Sequence, residues 1–194
     1  MVFRETTYSV LIVSAAEKFT AALRALLPVT DYWPVEAAHS VGEARRMLPE
    51  REFDIVIINS PLPDEFGSRL AADICSSSSA GVLLFVKSDI YENVTAKVTE
   101  QGVLTLPRPT SNQMVAQSLR TLCSMRERMR RFEEKQLSIE EKIEEIRLVN
   151  HAKWLLIERL SMSEAGAQRY IEKQAMDMRI TKREAAEAII KTYE

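Results

Sequence analysis

Residues 54–67 read DIVIINSPLPDEFG, a short apolar run that ends in an amide and is followed by a proline-rich turn. Every position from 55 to 58 is Ile or Val, which is the pattern of a parallel strand covered on both faces of its sheet. The turn residues that follow give way to Leu70 and Ile74 at helical spacing. The segment therefore predicts a buried strand, a turn and a helix, which together form the repeating unit of an α/β fold.

The same alternation of strand and helix extends to both sides of this segment. Ser40 and Glu43 have capping-box spacing and predict that a helix begins after Ser40, whereas Gly102 predicts a helix end. Further strands are predicted at 8–13, 35–38, 82–86 and 103–106, and further helices at 17–27, after Ser40 and at 91–101. Five strand–helix units predict a doubly wound, five-stranded parallel sheet, with any ligand site outside the carboxyl ends of the strands.

This order of elements, and DIVIINSPLPDEFG in particular, resembles the receiver domain of two-component response regulators over residues 8–120. The resemblance implies an acidic pair that binds magnesium after the first strand and an Asp at the end of the third strand that is phosphorylated. It also implies a Ser or Thr at the end of the fourth strand and a Lys before a Pro after the fifth. The corresponding positions in this chain hold Ser14 and Ala15, Asn59, Val86 or Lys87, and Arg108.

These replacements remove the chemistry that phosphorylation of a receiver requires. A carboxylate must attack phosphorus, and Mg²⁺ requires hard anionic oxygens around it. Asn59 supplies only a neutral carbonyl oxygen, and Ala15 supplies no ligand at all. We expect no phospho-acceptor in this pocket, with Asn59 bonded to its neighbours and Asp64 and Glu65 acting as ordinary surface carboxylates.

A single long helix is predicted after 111, because neither proline nor glycine occurs between Thr110 and Ala165. With Val115 at heptad position a, most a and d positions are apolar over about five heptads, as in a coiled coil. An apolar stripe on a single surface helix is the alternative. The predicted dimer contacts are Leu122, Met125, Met129, Phe132, Ile139, Ile143 and Ile146.

The charges that flank this stripe favour a parallel homodimer, and Gln136 at position a would set its register. In a parallel pair the facing charges attract at Arg128–Glu133 and Lys135–Glu140 and repel at Lys142–Arg147.

Residues 151–190 read HAKWLLIERLSMSEAGAQRYIEKQAMDMRITKREAAEAII and predict three short amphipathic helices. The first is expected to break at 161–163, Ser163 to cap the second, and the Thr181–Glu184 capping box to open the third. Residues 145–192 resemble the ANTAR module of bacterial transcription antiterminators. The resemblance rests on an ordered series of residues: AK at 152–153, LL at 155–156, SMSEAGA, Tyr170 and Ile180-Thr181. That family commonly has Gly after AK; here Trp154 either packs beneath the coil or presents a stacking face.

The ANTAR resemblance implies binding to paired hairpins of nascent leader RNA, which prevents a terminator from forming. Residues 150–194 hold eight bases against seven acids, so charge alone does not establish nucleic-acid binding. The start of the third helix also favours phosphate through its dipole and free amides. The predicted RNA-binding residues are first Arg179, Lys182 and Arg183, and then Lys153, Arg169, Lys173 and Gln174.

Together these patterns predict a receiver-like domain at 1–120, a coiled-coil helix at 111–150 and an RNA-binding module at 145–194. A receiver-like domain that is not phosphorylated is expected to take its signal from a sensor or regulatory protein that contacts it. Two other classes stay open, namely a DNA-binding effector whose third helix enters the major groove and a regulator that acts only through protein contacts. The sequence shows no nucleophile–base pair or phosphate loop, so an enzyme is not expected.

Composition and charge limit the kinds of binding site and the location that the sequence allows. A net charge of -2 excludes a protein coated in positive charge, so any nucleic-acid site must be local. Cys75, Cys123, His39 and His151 are too few and too scattered to predict a disulfide framework or a metal site, and no cofactor is expected. The N-terminal MVFRETTYSVLIVS does not resemble a signal peptide and no stretch is long enough to span a membrane, so a cytoplasmic protein is expected.

Overall fold

The computed structural model describes residues 7–193, and its N-terminal part is built on a parallel sheet of five strands. The strands lie in the order β2-β1-β3-β4-β5, and every neighbouring pair is parallel. Their bounds are β1 Tyr8–Val13, β2 Tyr32–Ala38, β3 Ile55–Asn59, β4 Gly81–Lys87 and β5 Leu104–Arg108. The doubly wound α/β fold is therefore confirmed. Residues 1–6 and 194, which include the start of the N-terminal segment and the last acid of the C-terminal charge count, lie outside the described residues.

Helices connect the strands and continue beyond the sheet. Four connect successive strands: α1 Glu17–Ala25, α2 Val41–Met47, α3 Ser68–Ser77 and α4 Tyr91–Val98, the last followed by a 3₁₀ turn at Thr99–Gln101. Three follow the sheet: α5 Asn112–Leu160, α6 Glu164–Met178 and α7 Lys182–Tyr193. Of the described helices, none combines the length and the apolar character needed to cross a membrane.

The sheet is buried on both faces, as the apolar run at 55–58 predicts. All five residues of β3 are buried. Leu11, Val56 and Leu84 belong to the core on one face, which also contains residues of α2, α3 and α4. The core on the other face contains residues of α1 and the first part of α5. Gly81 permits this packing, because a Cβ there would lie 3.0 Å from the side chain of Leu122.

Several element bounds differ from the sequence prediction, for a tertiary reason in β2 and a local one in α4. Strand β2 begins at Tyr32, three residues early, because the Tyr32 ring is buried in the core and its hydroxyl contacts Cys123 Sγ at 3.6 Å. Helix α4 ends at Val98, and a 3₁₀ turn covers the rest of the predicted span up to Gly102, which has φ +85°. Tightening of a last turn in this way is common at helix ends.

The first part of α5 is anchored to the sheet by Asp54. The Asp54 carboxylate accepts hydrogen bonds from Ser9 N at 2.9 Å, Arg126 Nε at 3.0 Å and Arg130 Nη2 at 2.7 Å. Leu122, which the heptad pattern assigns to the dimer contacts, is only 2% exposed and packs in the sheet core. Because a partner cannot reach this side chain, the stripe available to a coiled coil begins after it.

The chain divides into two compact units, with the boundary between Arg130 and Arg131. The second unit has its own small core, to which the end of α5, α6 and α7 contribute. Helix α5 breaks at Ser161, which has φ +51°, and Ser163 caps α6 by accepting a hydrogen bond from Gly166 N. Thr181 and Glu184 form the predicted capping box at the start of α7. The core members are Ala152, Leu156, Ala167, Ile171, Ala175, Ala185, Ala186 and Ile189.

Candidate functional site

The carboxyl edge of the sheet holds the residues that occupy the phosphorylation positions of a receiver. Asn59 ends β3, is 4% exposed, and donates from Nδ2 to Ser14 Oγ at 2.9 Å. Ser14 Oγ also accepts from Ala16 N at 3.2 Å. Among the described residues Asn59 Oδ1 has no hydrogen-bond partner. Neutral groups therefore occupy these two positions, and one hydrogen bond joins Asn59 to Ser14.

A cation lies at the same edge. Arg108 ends β5 beside Lys87 of β4, and its Nη2 donates to the Ser60 carbonyl oxygen. Partial burial lowers the pKa of the Arg108 guanidinium, which nevertheless stays charged at neutral pH. With no carboxylate at the Asn59 or Ser14 position, this edge has the opposite charge from a site that attracts Mg²⁺.

The carboxylate of Asp64, on the loop after β3, has a different role. Asp64 accepts hydrogen bonds from Gly42 N at 2.9 Å and Val41 N at 3.0 Å, at the start of α2. These bonds, first from Gly42 and then from Val41, lower the pKa of Asp64. The carboxylate thus acts as an anionic cap on a helix N-terminus. Within residues 7–193, no group of three or more His, Cys, Asp or Glu side chains could hold a metal ion.

An apolar stripe runs along α5 after Leu122. Its members are between 43% and 59% exposed, although each is a large apolar side chain. They follow the predicted a and d positions and comprise Met125, Met129, Phe132, Ile139, Ile143 and Ile146. The structure thus leaves six of the seven predicted dimer contacts open to solvent on one chain.

The predicted RNA-binding cations of the second unit are exposed around the turn between α6 and α7. Arg179 has φ +56° and forms the C-cap of α6, and it is followed closely by Lys182 and Arg183 at the start of α7. Lys182 Nζ contacts Glu172 Oε1 at 2.9 Å, and Arg183 Nε contacts Glu187 Oε1 at 2.9 Å. These ion pairs raise the pKa of both basic side chains.

The other predicted RNA-binding residues lie on α5 and α6. Arg169 and Lys173 are exposed and Gln174 is half-buried. Lys153, near the end of α5, is half-buried and contacts Glu164 at 3.6 Å. Trp154 is exposed with its ring 6.5 Å from that of His151, so packing of this ring in the core is not found within the described chain.

The sequence analysis missed a groove that brings cations and amides of the second unit together. The groove has a volume of about 390 Å³ and is lined by residues of α5, α6 and α7. Lys153 and Lys182 were predicted as RNA-binding residues, whereas Lys142, Asn150 and Gln168 were not. The spacing of Lys142, Asn150 and Lys153 along α5 was the one available signal, since these positions share a helix face.

Comparison with known proteins gives a family match within the second unit. The family described as the ANTAR domain matches residues 138–190. These residues form an ANTAR domain. The transcriptional regulatory protein PdtaR of Mycobacterium tuberculosis is 26% identical over 174 residues, which cover 88% of this chain and 83% of that protein. Over most of its length the chain is therefore similar to a transcriptional regulatory protein, and its C-terminal part matches the ANTAR domain.

Solved structures resemble the first part of the chain. The signal receiver domain of an HD domain-containing protein from Pseudomonas fluorescens Pf-5 is 26% identical with a TM-score of 0.59, covering 68% of this chain and 96% of that one. A response regulator receiver domain protein from Clostridium thermocellum is 17% identical with a TM-score of 0.55, covering 64% of this chain and 98% of that one. The sheet that precedes the ANTAR domain in the sequence therefore has the receiver fold.

Proposed function

We propose that this chain is a signal-dependent transcription antiterminator whose dimer binds hairpin loops of nascent leader RNA through the ANTAR domain. The observation that carries this proposal is the exposed cluster of Arg179, Lys182 and Arg183 at the start of α7, within the ANTAR match. The dipole at a helix start attracts phosphate, and exposed bases of hairpin loops suit readout by a protein. Lys153, Arg169, Lys173 and Gln174 extend this surface.

The proposed dimer forms through a parallel coiled coil along the stripe from Met125 to Ile146. Six large apolar side chains exposed along one helix favour burial against a second copy. The flanking charges support a parallel arrangement at Arg128–Glu133 and Lys135–Glu140. Two ANTAR domains held by one coil would engage two hairpin loops at once and so raise the overall affinity.

The receiver-like domain is proposed to control the dimer through contact with a sensor or regulatory protein in the cytoplasm. The bonded pair Asn59–Ser14, together with Arg108, supports a signal that does not depend on Asp phosphorylation. The carboxylate of Asp64, on the loop after β3, is also engaged in capping α2.

A comparison of two nucleic acids tests the proposed RNA binding. Gel shifts of the full chain with a two-hairpin leader RNA and with duplex DNA should give the tighter complex with RNA. Replacing Arg179, Lys182 and Arg183 with Ala should weaken RNA binding by about ten-fold or more, because each removes a phosphate contact. The matched control, Lys191→Ala, removes a cation of α7 outside the cluster and should change affinity little.

Three outcomes would contradict the proposal. Preferential binding of duplex DNA would instead favour a DNA-binding effector. Binding of neither nucleic acid would leave a regulator that acts only through proteins. Unchanged RNA affinity in the triple variant would refute the assignment of the cluster.

A further inference from the structure

The lining of the groove in the second unit combines aliphatic side chains with basic ones. Ile146 and Val149 of α5 supply aliphatic surface. Lys142, Lys153 and Lys182 bring three cations to the lining, and Glu145 is the single acid among the lining residues. A volume of about 390 Å³ falls in the lower part of the ~300–1,000 Å³ range of small-molecule pockets. The groove is therefore the size of a small organic anion and carries the opposite charge.

Two side-chain amides complete the lining. Asn150 of α5 and Gln168 of α6 each carry a carbonyl oxygen and an NH₂ group. Such amides can bond to the donor and acceptor pattern on the edge of a nucleobase. An occupant that has a planar polar edge and a phosphate would use both parts of this lining.

One carboxylate, that of Glu172, is bonded to two residues that line the groove. Glu172 Oε1 accepts hydrogen bonds from Lys182 Nζ at 2.9 Å and from Gln168 Nε2 at 2.9 Å. These two donors, with Lys182 the larger influence, lower the pKa of Glu172. The pair is exposed to solvent, so an anion that binds Lys182 more tightly can replace Glu172 at little cost.

Charge argues against a second copy of the chain as the occupant of this groove. Ile146 is the last apolar position of the proposed coil, and the next a position is the polar Asn150. In a parallel pair Lys142 would face Arg147 of the second copy, which is repulsive. The coil is therefore expected to end at Ile146, so that Val149, Asn150 and Lys153 of the groove stay open to an anionic partner.

We propose that this groove receives one unpaired nucleotide of a hairpin loop, a proposal that rests on the RNA binding proposed above. The base lies over Val149, beyond the end of the coil, and its edge is read by Asn150 and Gln168. The adjoining phosphates bind Lys142 and Lys182, and one of them displaces Glu172 from Lys182.

The first test compares charge changes inside and outside the groove. The probe is a synthetic RNA with two hairpins, selected by the full-length wild-type chain from a pool with randomised loops. Lys142→Gln should weaken binding by about five-fold, whereas Lys191→Gln, which removes the same charge outside the groove, should change it less than about two-fold. Glu172→Gln should tighten binding by about three-fold, and Glu158→Gln on the exposed side of α5 should not.

The second test locates the nucleotide. In the selected RNA each loop nucleotide is replaced in turn by an abasic one, and binding is measured with the wild type and with the Asn150→Ala, Gln168→Ala double variant. At one loop position the loss in the wild type should exceed the loss in the variant by about five-fold, because both changes remove the same contact. Circular dichroism should give the same helix content and melting temperature for both proteins.

The outcomes separate the two proposals. Failure of the wild type to select any RNA would overturn both the proposed function and the groove. RNA selection with additive losses at every loop position, or with equal effects inside and outside the groove, would overturn the groove alone. Coupling at one position together with tighter binding by Glu172→Gln supports the groove.

Discussion

Replacing Phe132 and Ile139 with Asp should convert the protein from a dimer to a monomer. Both side chains lie in the exposed stripe of α5, at successive d positions of the predicted heptads. In the proposed coil they lie between the two helices, where a carboxylate would be desolvated and would face the same carboxylate of the second copy.

The magnitude follows from the surface that these two residues still expose. Phe132 is 53% exposed and Ile139 is 56% exposed, so about half of each remains to be buried on association. Full burial of such a side chain stabilises by ~1.5–3 kcal/mol, so half burial contributes about 1 kcal/mol. Two residues in each of two chains give about 4 kcal/mol, which corresponds to about a thousand-fold rise in the dimer Kd. Desolvation of the new carboxylates raises the Kd further.

Light scattering and sedimentation equilibrium at micromolar concentration measure this effect directly. The wild type should have twice the 22.1 kDa mass of one chain, and the double variant the mass of one. Leu137→Asp is the matched control, because Leu137 is a 61% exposed apolar residue of the same helix at a b position. A wild type with the mass of a single chain, or equal dissociation by the Leu137 variant, would refute the coiled coil.

Two further predictions concern the receiver-like domain. A small phosphoryl donor with Mg²⁺ should leave the intact mass unchanged, because Asn59 cannot accept phosphate; a gain of one phosphate would contradict this. Asp54→Asn should destabilise the domain by about 2 kcal/mol in urea at pH 7, because it weakens the bonds to Arg126 and Arg130. Burial alone would raise the pKa of Asp54, but the bonds from Ser9 and Arg126 outweigh it and lower that pKa. This stabilisation is therefore present above the usual Asp pKa and lost as the pH falls through the folded value. Wild type and variant should converge in stability at low pH, and a pH-independent difference would rule out the ionised carboxylate as its cause.

The fold was predictable because its strongest signals are local. The run at 55–58 could be covered only on both faces, and the capping residues Ser163 and Thr181 fix where α6 and α7 begin. The bounds of β2 were not predictable, since Tyr32 joins that strand through burial against distant parts of the chain.

The role of Leu122 shows the limit of a helical pattern. An apolar stripe predicts that one face of α5 is covered but not what covers it. Up to Leu122 that face packs against the sheet, and after it the side chains are exposed. Both segments fit the same heptads. Only the folded structure shows which apolar residues belong to the sheet core and which are candidates for the dimer contact.

The candidate sites were predictable to different degrees. The loss of the phosphorylation chemistry follows from residue identity at Ser14, Ala15 and Asn59. The groove depends on three helices meeting, which places Lys182 of α7 near Lys142 of α5 across about 40 positions of sequence. No pattern in a single sequence predicts that these residues lie close together. The bonds of Glu172 to Gln168 and Lys182 likewise become apparent only in the folded structure, where α6 packs against α7.

Crosslinking in living cells tests the central claim, RNA binding by the ANTAR domain, most directly. The RNA crosslinked to the full chain should be recovered and sequenced beside a strain that carries the Arg179, Lys182 and Arg183 triple alanine variant. We predict that the wild type enriches leader transcripts with two adjacent hairpins and that the variant loses this enrichment. Recovery of no RNA above background, or identical recovery with the variant, would contradict the account.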